Sequence, residues 1–256
     1  MEWKPEQYNR YKDVRYKPFY DLLALLELRE RIKGIDLGCG TGEQTAILQK
    51  TLPNSNLLGI DSSPQMLAKS SRYQTRGLRF ELANIQDAIA RRDRYDLVFS
   101  NAALQWIDSH ELLLPKVIDL LAPGGQLAIQ MPVQNENLLN KILLSLVAEE
   151  PFRSFLDGFK KETPVLSIDK YAQLLFDNHM QDIQVSVKVY PIIASSESEL
   201  YDFIAGSALL PYTQRLSDEV IKELKDEFLA RIRQHFKKYP AIYVFKRLLL
   251  YAKKGS

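Results

Sequence analysis

Residues 34–45 read GIDLGCGTGEQT, and four of the chain's eleven glycines lie between positions 34 and 42. Glycine weakens helices and strands, but it alone turns freely through positive φ and lets a ligand lie against bare backbone. A glycine cluster directly behind an apolar run therefore marks a buried strand ending in a loop shaped around something bound. The flanking segments decide which fold can carry such a loop.

They alternate. The GIDL strand (34–37) is followed by a helix at TAILQKTL (45–52), stopped by Pro53 and Asn54. NLLGID (56–61) is a second strand, and SPQMLAKSSRY (63–73) a helix with serine as N-cap and proline in its first turn. LRFELA (78–83) and YDLVFSN (95–101) are further strands, and HELLLPKVIDLL (110–121) is a helix. The turn Ala122-Pro123-Gly124-Gly125 then leads into a fifth strand, QLAIQMP (126–132). Ahead of them all, PFYDLLALLELRE (18–30) predicts an amphipathic helix. Strands separated by helices of this length form βαβ crossovers, hence a parallel sheet with helices on both faces. Ligands bind at the carboxyl ends of such strands, and the glycine loop, Asp61, Asn84 and Asn101 all fall there.

Beyond 132 the pattern changes. Residues 137–160 and 168–180 predict helices, while IQVSVKVYPII (183–193) and AIYVFKRLLLYAK (241–253) predict two strands paired antiparallel at the sheet edge. Between them lie helices at 196–206 and 217–237, joined by LLPYT (209–213). The fold class expected is α/β: a doubly wound, mostly parallel sheet of seven strands with an antiparallel edge. Residues 1–132 form the ligand-binding core with an N-terminal helical arm. Residues 133–256 complete the same single domain and carry a helical lid at about 194–240. In the second lid helix, Ile221, Leu224, Phe228, Leu229, Ile232 and Phe236 recur at helical spacing and are read mostly as packing.

Composition narrows the function. With 34 basic and 32 acidic residues the chain carries a net charge of +2, and no basic stripe points to nucleic acid or an anionic membrane. One cysteine, Cys39, excludes an internal disulfide and fits a reducing, cytoplasmic setting. The polar, aromatic N-terminus lacks the apolar core of a signal peptide, and no run is long enough for a transmembrane helix. Three histidines without ligand spacing offer no metal site. A monomer is compatible with the sequence.

Two nucleotide motifs fail on chemistry. A P-loop needs lysine and a hydroxyl after its last glycine, where this chain has Glu43-Gln44. A dinucleotide fingerprint aims a helix N-terminus at pyrophosphate, which Asp36 and Glu43 would repel. The loop suits a ligand bearing an ammonium or another cation. IDLGCGTGEQT, with an acid closing the second strand in LLGIDSSPQML and the APGG turn before strand five, resembles the class I S-adenosylmethionine-dependent methyltransferases. That resemblance implies a Rossmann-like fold over most of 30–131 and S-adenosylmethionine as cofactor. It implies that the backbone of Gly38, Cys39, Gly40 and Gly42 lies against the methionine part, with Cys39 itself a small packing residue. Asp36 would lie near the amino group and Asp61 would accept from both ribose hydroxyls, followed by Ser62 and Met66. Asn84 and Ile85 would flank adenine; Asn101 is a further candidate for the cofactor site and for orienting the methyl acceptor.

WKPEQY (3–8), VRYKPFYDLL (14–23), NAALQWIDSH (101–110) and QMPVQNEN (130–137) resemble, more narrowly, the trans-aconitate methyltransferase family, which esterifies small polycarboxylic acids. One position departs: the family's lid motif carries arginine where GSALLP (206–211) has Leu210. A carboxylate is already ionised at neutral pH, so its methylation needs alignment and dryness rather than a base. Arg15 and Lys17 are candidate cations, Trp3, Tyr8 and Trp106 candidate walls, and Gln105, Gln130 and Tyr212 candidate orienting groups. His110 is the candidate base if the acceptor is instead a hydroxyl or amine. A carrier-bound acyl acid as acceptor, or a non-catalytic cofactor-binding module, remain as alternatives.

Overall fold

The computed structural model describes residues 12–255. Helix α1 (Lys12–Leu23) leads into strand β1 (Lys33–Leu37), α2 (Glu43–Thr51), β2 (Asn56–Asp61), α3 (Pro64–Leu67), β3 (Leu78–Leu82), α4 (Ile85–Ala90), β4 (Tyr95–Asn101), α5 (His110–Asp119) and β5 (Leu121–Pro132). The rest comprises α6 (Leu138–Leu146), α7 (Phe152–Phe155), α8 (Ile168–Asp177), β6 (Met180–Ala194), α9 (Glu197–Ala205), α10 (Leu210–Thr213), α11 (Asp218–His235) and β7 (Ala241–Lys254). The sheet order is β3-β2-β1-β4-β5-β7-β6. Strands β1 to β5 pair in parallel, and β7 runs antiparallel to β5. This is the doubly wound, mostly parallel sheet expected.

Several elements differ from expectation. Helix α1 starts at Lys12, runs through Pro18 and ends at Leu23 rather than at 30. The expected helix over 63–73 stops at Leu67, because Ser70 and Ser71 hydroxyls bond the Leu67 and Ala68 carbonyls and compete with helical pairing. Helix α4 has no apolar period long enough to read; Asn84 nucleates it by capping. LLPYT is one short helical turn, α10.

The described residues group into two compact units, the first comprising 17–132, 164–188 and 247–255 and the second 12–16, 133–163 and 189–246. Within the first unit, Phe19 and Leu22 of α1 pack with Leu48, Phe99, Ala128, Leu249 and Tyr251. Phe19 meets Phe99 edge-on at 5.9 Å between ring centres. Within the second, Leu224, Phe228 and Ile232 of α11 are buried with Leu146, Phe203, Tyr243 and Phe245, so the apolar stripe read as packing is core. No helix among the described residues is long and apolar enough to cross a membrane.

Gln126, 1% exposed in β5, fastens the segment between α1 and β1 to the sheet. Its Oε1 accepts from Glu27 N–H at 2.8 Å and from the Tyr251 hydroxyl at 2.9 Å, while its Nε2 donates to the Glu27 carbonyl at 2.9 Å. Gln126→Leu strips these partners together, and an unfolding titration is expected to show a loss of roughly 2–4 kcal/mol. Affinity for S-adenosylhomocysteine by calorimetry should stay within twofold.

Candidate active site

The order of the strands reverses between β1 and β4, and in open α/β sheets the crevice at such a reversal holds the ligand. The loop behind β1 is pinned to β2: Gly38 and Cys39 N–H groups both donate to the Ile60 carbonyl, at 2.9 and 2.8 Å. Gly38 has φ +85°, and a Cβ there would stand 2.2 Å from Ala103 Cβ, so only glycine lets the loop behind β1 approach the loop behind β4. Gly40 is different. With φ +56°, an added Cβ would meet nothing nearer than Met66 Cε at 3.5 Å, so the protein's own atoms leave that face of the loop clear. Gly42 caps α2.

Asp61 braces the same loop. Its Oδ2 accepts from Gly40 N–H and its Oδ1 from Ser63 N–H, both at 2.8 Å. Each oxygen keeps a further lone pair. Ser62 is exposed, and Ser63 rather than Ser62 caps α3, its hydroxyl accepting from Met66 N–H at 3.3 Å. Asn84 caps α4 by accepting from Asp87 N–H at 2.8 Å, and Ile85 after it is buried.

Asp36 is the electrostatic anomaly. It is 4% exposed, and its Oδ2 accepts from the Thr45 hydroxyl at 2.6 Å. Burial pushes its carboxyl up from 3.8 to about 7; Thr45 opposes the rise and the Asp61 charge adds to it. The same burial drives the Cys39 thiol far above its ordinary range, so it is an inert packing group. A buried carboxylate beside a second carboxylate and a bare backbone surface fits a cationic ligand such as the aminoacyl end of S-adenosylmethionine. Thr45 was missed in the sequence reading; an acid inside an apolar strand needs a donor, and the first hydroxyl of the following helix supplies it.

On the β4 side, Asn101 Nδ2 donates to Gln44 Oε1 at 2.9 Å. Gln105 is 5% exposed, its Nε2 donating to the Ala102 carbonyl at 2.7 Å, and Gln130 at the end of β5 is 1% exposed. Trp106 is 47% exposed. Lys17 is exposed on α1, where Arg15 also lies; Trp3 and Tyr8 fall outside the described residues.

Two expectations are corrected. His110 is buried with both ring nitrogens engaged: Nε2 donates to the Leu104 carbonyl at 3.0 Å and Nδ1 accepts from the Tyr171 hydroxyl. Burial also holds its pKa down. The imidazole has no lone pair to offer a substrate, so its role is structural. Tyr212 is buried in the core of the second unit, against Phe159, its hydroxyl accepting from Lys161 N–H at 3.1 Å. Leu210 is 45% exposed in α10.

A sheet of this order with an acid-glycine loop at its reversal and an acid closing β2 defines an S-adenosylmethionine-dependent methyltransferase. The comparisons with known proteins agree. Residues 28–175 match the family described as a methyltransferase domain. A trans-aconitate 2-methyltransferase of Deinococcus radiodurans is 38% identical over 98% of this chain and 98% of its own, and one of Mycobacterium tuberculosis is 32% identical over 99% and 97%. Among solved structures, Bacillus subtilis YcgJ superposes with a TM-score of 0.60 at 15% identity over 94% of this chain and 99% of its own. Haemonchus contortus phosphoethanolamine N-methyltransferase 2, solved with S-adenosyl-L-methionine, gives 0.58 at 15% identity over 94% and 52%. The chain belongs to the methyltransferase domain family and, within it, to the trans-aconitate 2-methyltransferase family.

Asp36 makes ligand binding pH-dependent. A cation at the loop favours the ionised carboxylate, so binding near pH 7 releases part of a proton. Calorimetry with S-adenosylhomocysteine is expected to find binding about tenfold weaker at pH 6 than at pH 8, with the difference gone in Asp36→Asn. The sign for stability is opposite. The folded ligand-free state holds a proton that the unfolded chain has lost between pH 3.8 and about 7, so stability from this group falls as pH rises through that window, by up to about 4 kcal/mol. Asp36→Asn should flatten that fall in urea titrations of the ligand-free protein.

For His110, the expectation is a stability defect without a catalytic one. His110→Ala should lower the unfolding free energy by roughly 1–3 kcal/mol, while kcat of the folded enzyme stays within a few-fold.

Proposed function

We propose that this enzyme transfers a methyl group from S-adenosylmethionine to a carboxylate of trans-aconitate or a close polycarboxylic relative. The observation that carries the reading is that relatives named for that reaction match the chain end to end, at 38% and 32% identity. Small carboxylic acid, not nucleic acid or membrane, is the partner class this implies.

The residues fit the cofactor. Asp61 offers one lone pair from each carboxylate oxygen to a ribose diol, the Gly40 face is clear for the methionine chain, and Asp36 supplies charge for its ammonium. Met66, whose methyl lies nearest the vacant side of Gly40, borders the same surface, with Gly38 and Cys39 beneath it. Ser62, Asn84, Ile85 and Asn101 stand at the ends of β2, β3 and β4. When bound, S-adenosylmethionine supplies a methyl group on a positively charged sulfur.

For the acceptor, the protein's contribution is alignment and exclusion of water. Gln105 and Gln130 present fixed amide dipoles, Trp106 offers an apolar wall, and Arg15 and Lys17 of α1 are candidate cations. No base is required, because an acid of ordinary pKa is ionised at neutral pH. That requirement matches a site whose histidine is spent internally, and it weighs against a hydroxyl or amine acceptor, which would need His110 to take a proton.

Incubation with S-adenosylmethionine and a panel of tri-, di- and monocarboxylic acids is expected to yield an alkali-labile methyl ester of trans-aconitate, identified by mass spectrometry. Asp61→Ala should raise the cofactor KM at least tenfold, about 1.4 kcal/mol. Methylation confined to nitrogen or a phenolic oxygen would overturn the reading.

A further inference from the structure

Three side-chain amides at the carboxyl ends of β4 and β5, Asn101, Gln105 and Gln130, carry buried polar atoms that no neighbour among the described residues satisfies; in Asn101 the atom is Oδ1. In Gln130, Oε1 accepts from Arg247 Nη1 at 3.4 Å and Nε2 has no partner. A guanidinium can only donate, so the amide oxygen must face Arg247 and the NH2 group must turn away from it. In Gln105, Nε2 is spent on the Ala102 carbonyl and Oε1 has no partner. The Ala102 N–H bonds the Gln130 backbone carbonyl at 2.9 Å, so the single residue Ala102 is bonded to both the Gln130 backbone and the Gln105 side chain.

The register places a third group beside them. Asn101 of β4 pairs with Gln130 of β5, and Gln130 and Pro132 pair with Leu249 and Arg247 of β7. Residues directly opposite, or two apart on one strand, share a face of the sheet. Asn101, Gln130 and Arg247 therefore share a face at the edge where ligands bind, on three adjacent strands.

Taking carboxyl methylation as the reaction, we infer that Arg247 and Gln130 form a subsite for a carboxylate of the acceptor other than the one being methylated. A planar guanidinium matches a carboxylate bidentately, and the Gln130 NH2 group adds a donor aligned by that same arginine. The placement follows from reactivity. An attacking oxygen must keep its lone pair and its charge, so a strong cation on it would slow the displacement, whereas a cation on a second carboxylate costs nothing at the reacting atom. Gln105 Oε1 and Asn101 Oδ1 are acceptors without donors, so they disfavour an anion on the β4 side and direct the carboxylate toward β7 and Arg247. The sequence already marked the position, since Lys246-Arg247 interrupts the otherwise apolar run AIYVFKRLLLYA.

The test uses Arg247→Met, which keeps the apolar stem, with Arg247→Lys and Gln130→Leu beside it. Thermal melts and S-adenosylhomocysteine affinity report on fold and cofactor site. Calorimetry of trans-aconitate against the S-adenosylhomocysteine complex reports on the subsite without turnover. Arg247→Met is expected to weaken trans-aconitate at least tenfold, and to raise its KM far more than it lowers kcat. Cofactor affinity should stay within twofold, Arg247→Lys should recover part of the loss, and Gln130→Leu should lose several-fold. The preference for trans-aconitate over a monocarboxylic acid such as crotonate should collapse. Unchanged trans-aconitate affinity in Arg247→Met, or a loss matched by an equal loss of cofactor affinity, overturns the inference. Wild type that methylates trans-aconitate while Arg247→Met behaves identically leaves the proposed function standing and removes the subsite. Wild type that binds the acid without methylating it, with binding lost in Arg247→Met, does the reverse, and wild type that binds no carboxylic acid removes both.

Discussion

The buried carboxylate of Asp36 organises the first unit of this protein. It closes β1 at the point where the strand order reverses, with Thr45 as its hydrogen-bonding partner and Asp61 adding repulsion. An acid so placed is unfavourable in the empty fold, and the surrounding structure is built to hold it there. The Gly38–Ala103 approach brings the β1 and β4 loops together, and Asp61 ties the glycine loop to β2 through Gly40. The result is a bare backbone surface at Gly40 flanked by the carboxyl groups of Asp36 and Asp61. That surface repels phosphate and welcomes a cation, which separates this site from the other nucleotide-binding loops that similar sheets carry.

Asp61 shows how one side chain serves fold and ligand together. Its two accepted N–H groups hold the Gly40 loop and the start of α3 in place, and one lone pair on each oxygen is left over, the pair of acceptors that the proposed ribose contact would use. Orientation of the ligand-binding lone pairs is thus fixed by the bonds that stabilise the turn. A substitution at this position removes a loop brace as well as a ligand contact, so cofactor affinity and loop rigidity move together.

The fold was largely legible because each strand of the first half is short, apolar and followed by punctuation: GIDL by glycines, NLLGID by Ser-Ser-Pro, YDLVFSN by a polar end. Periodicity failed where side chains overrode it. Serines 70 and 71 cut the helix after Leu67, and α4 owes its start to the Asn84 cap rather than to an apolar face. Within the site, the backbone-binding residues were readable since glycine and acid at fixed offsets have few other uses. His110 was misread because its sequence position, at the mouth of α5 after β4, is where a base would sit. Only the three-dimensional partners, Leu104 and Tyr171, reveal that its nitrogens are already used. Tyr171 lies sixty-one residues away, beyond any local pattern.

The three buried glutamines of β5 and its neighbouring loop separate structure from function more sharply than any of these. Gln126, Gln130 and Gln105 are equally hidden, at 1%, 1% and 5% exposure. Gln126 has its oxygen and nitrogen both bonded and lies in the middle of β5, where it fastens the chain. Gln130 and Gln105 each keep a polar atom without a partner, and both lie at the carboxyl edge. An unsatisfied buried donor or acceptor costs roughly 1–3 kcal/mol, and a leucine or methionine in either position would remove that cost in the ligand-free protein. Retaining such atoms on Gln130, Gln105 and Asn101 at the ligand-binding edge, and none on Gln126, is explained if a ligand completes them. The division follows the sheet: one amide in the middle of β5 holds the fold, and amides at the carboxyl edge of β4 and β5 wait for a ligand.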